Sequence, residues 1–164
     1  MLDFDNHENA EFKEFLKEEK IITDTTITFP SMRNSEVIKA RGLQSNQQFL
    51  LDINRKSMRL QRITYQNRIP TSIILLRLDI DTKPHKNPNG EIIRGTHLHI
   101  FDKNDSCGSW AFELNDPRLQ NFFPEFDFSR FNEALKSNFI TCFTLFCELN
   151  HITDIPVINN TLFS

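Results

Sequence analysis

A chain of 164 residues, 38% apolar and 25% charged, can bury one core and is of one-domain length, 1–164. No apolar run approaches the roughly 20 residues that a spanning helix needs. The acidic opening Met1-Leu2-Asp3-Phe4-Asp5 does not read as an export leader, and three cysteines are an odd count for a disulfide framework. A protein of a reducing compartment, the host cytoplasm, is expected, with thiols free or metal-bound.

The net charge of −3 is unevenly spread: residues 1–32 carry eight acids and three bases, 33–103 six and thirteen, and 104–164 eight and three. A basic middle allows an electropositive face toward nucleic acid. The plainer reading is a set of strands with Lys and Arg on their solvent side. Sixteen Phe against one Tyr and one Trp is unusual. Phe has no hydrogen-bonding handle, so most rings should be core, and any left exposed would point to a protein partner.

In chain order, Phe12, Phe15 and Leu16 share one face of a short amphipathic helix over 8–20. The β-branched run from Ile21 to Phe29 reads as a strand ended by Pro30. Strands follow over 35–41, 48–54 and 58–66, the last two joined by a turn near Arg55-Lys56-Ser57. Over 71–81, Ile73 to Leu76 suit burial on both faces; Leu78 and Ile80 then point one way and Arg77, Asp79 and Asp81 the other. Asn89-Gly90 is a preferred turn pair, so the chain returns through Ile92-Ile93. A strand over 96–101 carries Leu98 and Ile100 on one face and His97 and His99 on the other, and a last strand spans 110–114. An aromatic loop over 117–128 leads into a long helix, 129–150, with Ser129 as N-cap. The fold class is α+β: an antiparallel sheet of about six or seven strands, flanked by an N-terminal and a long C-terminal helix.

Three of five histidines, His85, His97 and His99, fall within fifteen residues. His97-x-His99 on a strand places two imidazoles on one face, about 6–7 Å apart, and His85 lies on a loop able to fold over them. Zinc takes four ligands from His, Cys and carboxylate. Asp79, Asp81, Asp102 and Cys107 are candidates for the fourth, Asp79 if its face is also the histidine face. Three His plus water would be a catalytic pattern; three His plus Cys would be a closed structural one. Without a metal, His97 or His99 would suit acid–base chemistry on RNA, with Arg77, Arg68 or Lys86 holding phosphate. Cys147 and His151, four apart, also have ligand spacing, but Cys142 and Cys147 read first as core.

The segments Leu51-Asp52-Ile53-Asn54-Arg55, Leu75 to Asp81, His85 to Gly90, His97 to Phe101 and Trp110-Ala111 carry a resemblance. They resemble a family of small proteins from bacterial genomes and prophages, with motifs LDI-x-R, LLRLDI, H-x-NPDG, H-x-H-I-aromatic and Trp-Ala. Asn89 stands where that pattern has Asp. The likeness covers roughly residues 49–111 and includes His85, His97 and His99, which implies a real site there. A small acidic protein of this kind also looks like a phage anti-CRISPR. That likeness implies an inhibitor bound to a Cas9-type nuclease, with a structural zinc; the other expectation is a metal-dependent or histidine-based ribonuclease toxin.

Overall fold

The computed structural model describes residues 10–59, 61–70, 73–102 and 108–160. The Phe12, Phe15 and Leu16 stripe forms α1 (Ala10–Lys17). Strands follow as β1 (Lys20–Ile22), β2 (Ile27–Phe29), β3 (Ser35–Gly42), β4 (Gln48–Asn54), β5 (Ile63–Ile69) and β6 (Ile73–Ile80). After β7 (His85–Lys86) and β8 (Ile92–Ile93) come β9 (His97–Ile100) and β10 (Trp110–Glu113). Three helices, α2 (Pro117–Phe122), α3 (Arg130–Ser137) and α4 (Phe139–Leu149), and β11 (Ile158–Asn160) complete the chain.

Seven strands make one antiparallel sheet in the order β1-β3-β4-β5-β6-β9-β10. The α+β expectation holds, with α1 and α4 packed on one sheet face. Phe49, Ile53, Tyr65 and Leu78 are buried on that side. Tyr65 lies 5.5 Å from Phe143 and 5.9 Å from Phe146, ring to ring, and Phe15 meets Phe49 edge-on at 5.9 Å. Each such side chain contributes about 1.5–3 kcal/mol by leaving water. None of the described Phe rings is exposed.

Two expected elements are each broken in two. The strand expected over 21–29 splits because Thr23 and Asp24 stop following it. Thr23 N–H donates to Lys39 O at 2.9 Å, and the Asp24 carboxylate accepts from Lys39 N–H at 2.9 Å. β2 then leaves the sheet and pairs in parallel with β11. The long helix over 129–150 breaks at Asn138, whose extended backbone (φ −161°, ψ 166°) starts α4 and whose side chain accepts from Thr141 N–H at 2.8 Å. The expected Ser129 cap makes no capping bond; instead Asp127 accepts from its N–H and hydroxyl.

Lys20 is fully buried. Its Nζ donates to Leu16 O at 3.2 Å, Glu18 O at 2.9 Å and Asn150 O at 2.9 Å. One ammonium thus joins the last carbonyls of α1 and α4, which helix ends otherwise leave unsatisfied.

Candidate metal centre

Register decides which side chains meet. Asp79 pairs with His97 and Arg77 with His99 across β6 and β9, while Leu78 and Leu98 pair on the other face. The carboxylate face is therefore the histidine face. One row runs Thr64, Asp79, His97, Glu113 and the next runs Gln66, Arg77, His99, Ala111.

Asp79, His97 and His99 are buried, and their ligand atoms all lie within 4.8 Å of one another. This group can hold a metal ion. Asp79 Oδ2 is 3.2 Å from His99 Nε2 and 3.6 Å from His97 Nε2. The other ring nitrogens are already committed. His97 Nδ1 lies 2.7 Å from Gly95 O and His99 Nδ1 2.7 Å from Gly108 O. A carbonyl only accepts, so each Nδ1 carries a proton, and a ring with no second proton turns an Nε2 lone pair toward the carboxylate. Gly95 (φ 72°) and Gly108 (φ 77°) are left-handed, which suits glycine at the turns that present those carbonyls.

Two nitrogen lone pairs and a carboxylate facing one another call for a cation. Arg77 supplies one: its Nη2 lies 3.0 Å from His99 Nε2 and 3.1 Å from Asp79 Oδ2. Thr64 Oγ1 donates to Asp79 Oδ1 at 3.0 Å. Burial alone would raise the Asp79 carboxyl; with both facing Nε2 atoms offering lone pairs, the charge on Arg77 is what holds it low. Burial lowers His99, which favours its neutral ring.

His85 stands beside this group. Its ring is 4.6 Å from that of His99 and 6.2 Å from that of His97, half-buried, with Nε2 2.6 Å from Ser109 O. That carbonyl takes the Nε2 proton, so only Nδ1 remains to ligate. Asp81 is exposed, with φ 53°, and Asp102 is buried; neither belongs to the three-residue group. Cys107 lies outside the described residues. Cys147 is buried, its thiol pushed up by burial, while His151 is exposed beyond the end of α4 at φ 58°. The helix face that would align the two stops short of His151. Of the other phosphate candidates, Arg68 is paired with Asp52 at 2.6 Å and Lys86 is exposed on β7.

Two residues gain roles that spacing did not reveal. Arg77 was legible as a neighbour of Asp79, but not as a donor to His99. Asn87 is buried and clasps the outer edge of β10: Nδ2 donates to Ala111 O at 2.9 Å, and Oδ1 accepts from Ala111 N–H at 2.8 Å. With Gly90 at φ 92°, this explains the Asn-Pro-Asn-Gly turn as the fastening of the loop that carries His85.

Sheet and site together define an α+β protein with a buried two-histidine, one-carboxylate group. The chain belongs to a family of unknown function, DUF6978, which matches residues 8–152. No curated protein and no solved structure matches the chain. Among the described residues, no helix is long and apolar enough to cross a membrane.

Proposed function

We propose that Asp79, His97 and His99 bind one zinc ion and that the chain is a metal-dependent ribonuclease of the small-toxin kind. The observation that carries this is the preset tautomer of both imidazoles: with Nδ1–H held by Gly95 O and Gly108 O, both Nε2 atoms and Asp79 Oδ2 offer lone pairs to one point. Two imidazoles and a carboxylate suit zinc and leave a fourth position. Bound there, the ion would supply Lewis-acid stabilisation to a phosphoryl oxygen. Arg77, its side chain 28% exposed, stands where a planar fork would grip phosphate. The basic middle of the chain suits a polyanion.

The test is elemental analysis of untagged protein, followed by cleavage of a fluorescent RNA with and without zinc. One zinc per chain is expected, falling to near zero in His97→Ala/His99→Ala, with cleavage lost in the same variant. A folded protein that holds no zinc, or a zinc-free double variant that still cuts, would overturn the reading.

Near-complete burial of His97, His99 and Asp79, at 1%, 1% and 6% exposure, favours a second reading. There the zinc only ties β6 to β9, and the chain inhibits a Cas9-type nuclease by binding it through its acidic ends. Full DNA cleavage by Cas9 at excess protein would reject that reading for this effector.

A further inference from the structure

We propose that Arg77 couples the metal to an oxyanion. Its guanidinium spans His99 and Asp79, and metal binding turns the released Nη2 edge to a phosphate group beside the ion. This rests on the reading of Asp79, His97 and His99 as ligands.

The two atoms that Arg77 Nη2 contacts, His99 Nε2 at 3.0 Å and Asp79 Oδ2 at 3.1 Å, belong to the residues of the ligand group. An imidazole Nε2 has one lone pair. It cannot accept from a guanidinium and bind a metal together, so metal binding breaks the Arg77–His99 contact. The side chain is not set free. Arg77 Nε stays 3.1 Å from Asp79 Oδ1, and that oxygen is steadied by Thr64. A guanidinium is then held beside a divalent cation with one edge lacking its acceptor. The two positive charges repel, and an anion between them relieves both. The planar fork matches two phosphate oxygens, while a third reaches the ion's remaining position. Partial exposure of Arg77 and of the neighbouring His85 leaves a path for it. The ligand is thus a phosphate oxyanion, free or as part of a phosphodiester.

A metal and an anion coupled in this way tighten each other by one common factor. Zinc affinity is read by competition with a chromophoric chelator, with and without inorganic phosphate, and again with a dinucleoside monophosphate. In the wild-type chain phosphate should tighten zinc at least about fivefold. Arg77→Met should bind zinc more tightly than wild type without phosphate, its competitor gone, and should show no phosphate effect. Arg77→Lys, which keeps the charge but not the fork, should retain a reduced effect. Melting curves check that both variants are folded. Tightening by inorganic phosphate alone assigns the site to the free anion; tightening by the dinucleotide as well assigns it to a phosphodiester. One zinc per chain with no phosphate effect, or an undiminished effect in Arg77→Met, overturns this proposal and leaves the metal centre standing. No zinc at all overturns both.

Discussion

Asn87→Ala should be among the most destabilising single changes outside the apolar core. β10 ends the seven-strand order, so among the described residues no strand pairs with its outer edge. The Asn87 amide takes that place, with bonds of 2.8 and 2.9 Å to the Ala111 backbone. Asn87 is 2% exposed and Ala111 0%. Truncation removes these two hydrogen bonds of about 1 kcal/mol each and a longer one to Glu91 at 3.3 Å, and it leaves a buried N–H and C=O whose desolvation costs about 1–3 kcal/mol apiece. Water entering the vacated volume offsets part of this, so about 3 kcal/mol is expected. At roughly 2–4 °C per kcal/mol for a domain of this size, the melting midpoint falls by about 6–12 °C. The assay is thermal melting and urea unfolding of both proteins, followed by circular dichroism. Asn87→Asp sharpens it. A carboxylate still accepts from Ala111 N–H but repels Ala111 O, so that variant should regain stability as acid protonates it. An Asn87→Ala variant within about 0.5 kcal/mol of wild type, as an ordinary surface change would be, would refute the clasp.

Further expectations concern the zinc site, a buried lysine and a buried tyrosine. Single His97→Ala and His99→Ala variants should each lose most bound zinc in equilibrium dialysis, whereas His85→Ala should keep it, since His85 lies outside the three-residue ligand group. Burial drops Lys20 to about 7, against the pull of Glu18, from an ordinary 10.5. Between those values the unfolded chain holds more protons than the folded one, so wild-type stability should rise with pH from about 7 to 10. Lys20→Met should flatten that rise in urea titrations at several pH values. Tyr65→Phe removes the 2.6 Å bond from the hydroxyl to Phe139 O; it should cost about 1–2 kcal/mol, visible as a shift in the urea midpoint.

The strands were legible wherever apolar residues alternate, because a half-buried sheet imposes that period. Leu78 and Leu98 facing the helices, with Asp79 and His97 behind them, follow from it directly. The histidine group was legible as residue types and a shared face. Its pairing with Asp79 needed the register, which spacing alone does not fix. Illegible features depend on distant partners. Lys20 looks like an ordinary surface lysine until Asn150, 130 residues away, brings its carbonyl. Asn138 sits inside a good helical pattern, yet its side chain caps Thr141 N–H and starts a second helix there. Asn87 reads as a turn residue, and nothing local announces that its amide will bond the Ala111 backbone on β10.

The strand order has a consequence for how the molecule assembles. From β3 to β6 every strand lies beside its sequence neighbour, so these pairings close short loops and should form early. β9 reaches β6 only after the excursion over residues 81–96. The histidines therefore meet Asp79 at the first junction beyond that run of neighbours. Opening of the β9–β10 hairpin as a local unit would take the ligand group apart while β3 to β6 stay folded. Amide exchange at Leu98 and His99 would then report how often the centre exists at all.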